Sequence, residues 1–181
     1  MSFIFKLISL LFNRLSSAAA SNNDAELLLK AHNQIRQNKN ISALVLDPRL
    51  TAAATKHAQW MHKTNTMDHR GEHGSNHGTR ILNEGYKPSC SGENIAYGYT
   101  KVETVMSGWM KSFMHRTNIM SIRYMHVGFG RSGNYWCTVF ATPGYATMGD
   151  SYPYDITYES GPLTSDAHRS TSEVSPTVFP D

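Results

Sequence analysis

Apolar residues recur at helical spacing in the first third of the chain. Asn22–Asp24 can cap a first helix, whose apolar face is formed by Leu27, Leu28, Ala31 and Ile35. Asp47 and Pro48 begin a second helix, because Asp accepts hydrogen bonds at a helix start and Pro needs no N–H at the first helical position. Steps of three and four residues define its apolar stripe, which consists of Leu50, Ala53, Ala54, His57, Ala58 and Met61.

Shorter helical and strand-like patterns follow. Thr100 and Glu103 form a capping box, which predicts the start of a helix that carries Trp109. Ser132-Gly133 predicts a tight hairpin turn between two strand-like runs. The other predicted elements are a short helix over Thr79–Asn83 that stops at Gly85, a strand over Glu93–Tyr99, and the two hairpin strands Tyr124–Arg131 and Asn134–Thr142.

This order of elements predicts the fold class and the domain boundaries. Helices on both sides of a small antiparallel sheet would bury the apolar faces, which makes the chain an α+β protein with an α-β-α sandwich. The folded domain is predicted to span residues 23–145. The remaining residues, 146–181, lose the pattern and become rich in Ser, Thr and Pro, so they are predicted to be a disordered tail.

The first 22 residues resemble a targeting segment. Met1–Phe12 is mostly apolar with Lys6 inside it, and the small residues Ser16–Ala20 suit a signal-peptidase site. We therefore expect a cleaved signal peptide and a secreted, extracellular protein. A disordered or amphipathic leader is the alternative.

Composition narrows the function classes. The 181 residues are 40% hydrophobic and 17% charged, as in an ordinary globular protein. A formal charge of +3, scattered along the chain, argues against a nucleic-acid partner. No run of 18 apolar residues exists, so no transmembrane span is expected. Cys90 and Cys137 can form one disulfide in an oxidising compartment or remain two buried thiols, and both alternatives stay open.

The chain has nine histidines, a residue type suited to metal binding and proton transfer. His57 falls on the apolar stripe of the second helix, which predicts a core histidine. His73, His77 and His168 lie in polar segments and are predicted to be solvated. The sequence suggests no partner for His32 or His126.

His69, Glu93 and His115 lie where patterned elements meet loops, which is where scaffold-held sites collect. They are 24 and 22 residues apart, so only the fold can bring them together, and three unrelated surface or capping residues are the alternative. Other reaction classes lack their motif: the chain has no glycine-rich phosphate loop, no Gly-x-Ser-x-Gly elbow and no His-Glu-x-x-His. A cysteine nucleophile is disfavoured because Cys137 lies in an apolar strand.

Several segments resemble the CAP superfamily, the group of cysteine-rich secretory proteins, antigen 5 and pathogenesis-related 1 proteins. Gly92–Gly98 is similar to its Gly-Glu-Asn-Leu/Ile-Ala signature. Trp109, His115–Met120 and Val127–Gly130 resemble the Trp, His-Arg-x-Asn-Ile-Leu and Ile-Gly-x-Gly block of its bacterial-type and related fungal branch. The resemblance covers Leu27–Thr142 and implies an α-β-α sandwich with an SCP domain's central cleft.

The resemblance also implies which residues line that cleft. His69 and His115 match its two histidines, and Glu93 matches one of its two glutamates. Ser112 stands where the second glutamate would be. Two imidazoles and a carboxylate can hold Zn²⁺ with an open position. If Glu93, like Ser112, only supports the histidines, His69 and His115 remain as metal ligands and zinc would be weakly held.

The resemblance leaves two main function classes, beside a structural wall or defence protein whose cleft is vestigial. The first is a non-enzymatic extracellular protein that binds a small hydrophobic ligand, such as a sterol or lipid, or a protein partner. The second is a metal-assisted hydrolase or protease that uses His69, Glu93 and His115. The loss of a carboxylate at Ser112 weakens the second class, because hydrolysis needs an acid or base near the attacked bond.

Overall fold

A computed structural model of the protein describes residues 23–144. The predicted leader and the predicted tail lie outside the described residues. The described elements are α1 (residues 23–37), β1 (Val45–Leu46), α2 (Pro48–Thr64), a 3-10 turn (Glu72–Gly74), α3 (His77–Asn83), β2 (Pro88–Tyr97), α4 (Val102–Lys111), α5 (Phe113–Met120), β3 (His126–Ser132) and β4 (Tyr135–Pro143). No helix within residues 23–144 is both long and apolar enough to span a membrane.

The four strands form one sheet in the order β1-β3-β4-β2. The β3–β4 hairpin and the β2–β4 pair are antiparallel, as predicted, but β1 pairs with β3 in parallel. The sheet is therefore mixed rather than purely antiparallel. The sequence did not indicate β1, because a strand of two residues is too short to show alternation.

The side chains of the central strand β4 point alternately into two hydrophobic cores, one on each face of the sheet. Trp136 and Phe140 pack with α4 residues on one face of the sheet. Cys137 and Val139 pack with α2 residues on the other face. Because helices cover both faces, the α-β-α sandwich is confirmed. The stripe predicted for α2 is also confirmed, since its six residues are buried in the helix.

Two local predictions need correction, and one helix was missed. The cap position of α4 is Lys101, without a side-chain hydrogen bond, so Thr100 and Glu103 do not form the predicted capping box. The predicted helix that carries Trp109 is present as α4, whereas α5, which follows Ser112, was not predicted. The hairpin turn consists of Gly133 and Asn134, since β3 includes Ser132.

Candidate functional site

Glu93 lies at the centre of the candidate site. It belongs to the edge strand β2, and its side chain is only 1% exposed. His69 Nδ1 lies 2.8 Å from Glu93 Oε1, and Arg80 Nη2 donates to Oε2 at 2.6 Å. The thiol of Cys137 also donates to Oε2, at 3.4 Å. The fold thus brings His69 and Glu93, 24 residues apart in sequence, into direct contact.

These contacts set the protonation state of Glu93. Burial raises its pKa, but the hydrogen bond from His69 and the charges of Arg80 and His57 outweigh burial and hold the pKa below its usual value. Glu93 is therefore a carboxylate at neutral pH and can only accept hydrogen bonds. It follows that Nδ1 of His69 carries the proton in their hydrogen bond, which leaves Nε2 of that ring available to a ligand.

The same contact acts on His69. The hydrogen bond to Glu93 raises the pKa of His69, against the opposing effect of partial burial. The His69 side chain remains 56% exposed. In metal sites, a histidine ligand commonly donates its other ring N–H to a carboxylate, which orients the ring. Exposed His69 and buried Glu93 have this arrangement.

Arg80 is a site residue that the sequence reasoning missed. It extends from α3, donates to Glu93, and also donates to the backbone carbonyls of His69 and Ser75. Its side chain is 10% exposed. A largely buried arginine requires such partners. Nothing in the local sequence pattern distinguishes Arg80 from a solvated helix residue, so only the fold identifies it.

His57 and His77 lie closer to the site than predicted. His57 is buried, as the apolar stripe indicated, but its Nε2 bonds to the Asp68 carbonyl at 3.0 Å and lies 4.0 Å from Glu93 Oε1. His77 was predicted to be solvated, and this was wrong. It is half-buried at the start of α3, where burial lowers its pKa and the Glu93 charge opposes that effect.

His115 reaches the site from α5. Its backbone carbonyl accepts a hydrogen bond from Asn94 Nδ2 at 3.0 Å, so the residue that follows Glu93 fixes the position of α5. Partial burial lowers the pKa of His115, and the nearby charge of His69 lowers it further. The ring is therefore neutral at pH 7, the form that binds metals.

The other predicted cleft residue, Ser112, lies at the junction of α4 and α5. It is half-buried, and its side chain does not cap α5. Its backbone N–H instead bonds to the carbonyls of Gly108 and Trp109 at the end of α4. With serine at this junction, Glu93 is the carboxylate of the cleft, and it contacts His69.

The possible disulfide does not fit the strand register. Cys90 pairs with Thr142 of β4, while Cys137 lies five positions away on β4. Five strand residues span about 17 Å, whereas a disulfide joins Cα atoms about 4.4–6.8 Å apart. Both cysteines are free thiols. Burial raises the pKa of the Cys137 thiol, which keeps it protonated beside Glu93.

The described residues offer at most two side chains of the predicted site as metal ligands. Among residues 23–144, no group of three or more His, Cys, Asp or Glu side chains is placed to hold a metal ion. Glu93 cannot readily serve as a ligand, because both of its oxygens already accept hydrogen bonds from protein donors. Nε2 of His69 and the neutral ring of His115 are the groups that remain, and water would complete the coordination.

Comparison with known proteins identifies the family. The CAP model, described as the cysteine-rich secretory protein family, matches residues 29–142. The chain belongs to this family. The uncharacterized CAP-like relative YkwD of Bacillus subtilis (strain 168) is 32% identical over 110 residues, covering 60% of this chain and 43% of YkwD. This chain therefore matches less than half of that relative's length.

Solved structures share the CAP fold. An extracellular protein containing an SCP domain from Bacillus anthracis has a TM-score of 0.65 at 23% identity, over 67% of this chain and 41% of that one. An outer surface protein from Borrelia burgdorferi has a TM-score of 0.63 at 19% identity, over 67% of this chain and 94% of that one. At these identities the likeness establishes the fold alone.

The structure gives the CAP signature Gly92-Glu93-Asn94 a physical meaning. A side chain at Gly92 would collide with the hydroxyl of Tyr124. Glu93 and Asn94 point to opposite faces of β2, as successive strand residues do. Glu93 therefore holds His69, while Asn94 holds the carbonyl of His115.

Proposed function

We propose that this CAP domain is an extracellular, non-enzymatic binding protein whose cleft holds a divalent cation, most simply zinc, through His69 and His115. The observation that carries the proposal is the hydrogen bond from His69 Nδ1 to the buried carboxylate of Glu93. This bond fixes the ring and leaves Nε2 for a ligand. When bound, zinc would supply a positive charge that attracts an anionic or carbonyl oxygen of a partner.

The burial and ionisation of Glu93 favour a binding function over a hydrolytic one. A general base must reach the proton that it removes. The Glu93 carboxylate is buried, its pKa lies below its usual value, and both of its oxygens are occupied by Arg80 and His69. Ser112, at the other carboxylate position of the family, is no substitute, because a hydroxyl is a poor base at neutral pH.

The extracellular location is supported by the family's description as secretory and by the signal-like sequence of the first 22 residues. The partner of such a binding domain is a small hydrophobic ligand, such as a sterol or lipid, or another protein. Large apolar side chains exposed on and after α5 support either kind of partner, since exposed apolar clusters mark interaction sites.

Zinc titration by calorimetry tests the proposal. We expect one weak site in the wild-type chain, and no measurable site in His69→Ala or in His115→Ala. Because Glu93 orients His69, Glu93→Gln should weaken zinc binding by about 10–100-fold. His73→Ala, a change at an exposed histidine of the 3-10 turn, is the matched control and should bind like the wild type.

The pH dependence adds a second readout. Zinc requires the unprotonated ring, and Glu93 raises the pKa of His69, so the affinity should fall as pH decreases through that raised pKa. Zinc retained at one equivalent in His115→Ala would contradict the proposed site. Peptide cleavage that requires both His69 and His115 would instead establish the hydrolase.

A further inference from the structure

Three of the most exposed large apolar side chains in the described residues lie together on and after α5. Phe113 is 69% exposed, Met114 is 70% exposed and Ile122 is 82% exposed. Burial of such side chains against a partner is favourable, because it removes apolar surface from water. We call the surface formed by residues 113–123 the α5 patch.

The α5 patch contains a groove. Phe113, Met120 and Ile122 provide its apolar lining, and this shallow groove, open to solvent, has a volume of about 530 Å³. Arg116 and Arg123 also line it. Arg116 is held in place, because it donates to the Met110 carbonyl at 2.7 Å. A concave apolar centre beside arginines is the anatomy of protein interfaces, in which arginine is enriched.

The charged residues that line the groove, Arg116 and Arg123, are both positive. No Asp or Glu occurs between Glu103 and Asp150, while the patch carries Arg116 and Arg123 and Lys111 directly precedes α5. A partner with negative charges around an apolar group would therefore meet complementary charge. The carboxylates of such a partner match the planar guanidinium groups, which bind carboxylates through two parallel hydrogen bonds.

From the groove and its charges we propose that the α5 patch docks an acidic segment of a partner protein, with one large apolar side chain of that segment seated between Phe113, Met120 and Ile122. This inference rests on the proposed binding role, but it does not involve the cleft cation. A groove favours a protein segment over a lipid bilayer, because a side chain fills a concave site and a bilayer surface does not.

Peptide selection tests the patch without knowledge of the natural partner. A random peptide library is displayed and selected against the wild-type protein. We expect the enriched peptides to carry Asp and Glu flanking an aromatic or aliphatic residue. Their affinity should fall about tenfold or more in Ile122→Glu and in Arg123→Glu, as at an interface hot spot, and should also fall at high salt.

The controls are matched in exposure and charge change. Val45→Glu places an acid at a 61% exposed apolar residue outside the patch, and Arg70→Glu reverses an exposed charge outside it. Both should keep the wild-type affinity for the selected peptides. Circular dichroism and thermal melting of each variant verify folding, and Ile122→Ala repeats the test with a milder change.

Three outcomes would overturn the proposal. Enriched peptides without acidic residues, or peptides that bind Ile122→Glu as tightly as wild type, would show that the groove is not the docking site. Co-sedimentation with phosphatidylcholine–phosphatidylglycerol vesicles, combined with no peptide enrichment, would assign the patch to membranes. Zinc titration of Ile122→Glu separates the two proposals, because the cleft should bind zinc normally in this variant.

Discussion

Glu93 illustrates how a single buried charge organises its neighbours. Its carboxylate is held by an arginine, a histidine and a thiol, and the two strongest contacts come from Arg80 and His69. A buried carboxylate without partners would take up a proton. With these partners it stays charged and orients His69. This residue-level contact explains why a glutamate is found in the strand at a position facing the α2 side of the sheet.

His32 is a second buried polar residue, with a different role. Its Nδ1 donates to the Leu28 carbonyl at 2.8 Å, and its ring lies among Trp109, Phe129 and Phe140. Burial lowers the pKa of His32 to about 4. The sequence suggested no partner, because the aromatic neighbours come from three distant elements. The ring is a neutral component of the core.

The burial of neutral His32 predicts that the folded protein loses stability in acid. Above pH 6.5 His32 is neutral in both the folded and unfolded chain, so its full contribution to stability is present. As pH falls from 6.5 toward 4, only the unfolded chain takes up the proton, and the free energy of unfolding decreases. Between pH 7 and pH 5 the contribution from His32 amounts to about 2 kcal/mol.

Urea unfolding of the wild type and of His32→Leu measures this contribution. We expect the loss of stability between pH 7 and pH 5 to be about 2 kcal/mol smaller in the variant, because leucine does not titrate. The remaining buried histidines titrate equally in both proteins and cancel in the comparison. An identical pH dependence in the two proteins would show that His32 is not buried as a neutral ring.

At the scale of elements, the packing of β3 on α2 depends on the absence of side chains. Cβ atoms at Gly128 and Gly130 would collide with the α2 backbone at Leu50 and Ala54. The Val-Gly-x-Gly pattern of β3 therefore allows the strand to touch the helix directly. Val127 and Phe129 alternate with these glycines and fill the opposite core.

Gly128→Ala should strongly destabilise the protein. The methyl group meets backbone rather than a movable side chain, so we expect a loss of about 3 kcal/mol or more in free energy of unfolding. Gly78→Ala is the control, because there the nearest atom is the side-chain oxygen of Asn76, and the change should be within about 1 kcal/mol. Equal melting temperatures for the Gly128→Ala variant and the wild type would refute the direct contact.

The elements differ in how well the sequence predicts them. The helical spacing of apolar residues and the Asp47 cap are sufficient to predict α2. In the structure, Asp47 accepts hydrogen bonds from the N–H groups of Arg49 and Leu50. The break between α4 and α5 does not follow, because neither Lys111 nor Ser112 is a strong helix breaker. One tertiary contact does span the junction: Arg116 of α5 donates to the carbonyl of Met110 near the end of α4 at 2.7 Å.

For the whole molecule, the periodic pattern predicted the two covered faces of the sheet, but not the site. Spacing alone gave no reason for His69, Glu93 and His115 to meet, and their assembly was expected only from the resemblance to CAP proteins. Arg80 and the approach of His57 to Glu93 were not predicted from the sequence or from the resemblance. Such contacts depend on how α2, α3 and β2 pack, which a one-dimensional pattern does not contain.

In the proposed site, Glu93 binds Nδ1–H of His69 and thereby leaves Nε2 for a cation shared with His115. Nitrogen-15 NMR of the imidazole rings, with and without zinc, tests this arrangement most directly. We expect neutral His69 to carry its proton on Nδ1 and Glu93→Gln to lower the pKa of His69. We expect zinc to shift the ring-nitrogen signals of His69, at Nε2, and of His115. A proton on Nε2 of neutral His69, or zinc that leaves both rings unchanged, would contradict it.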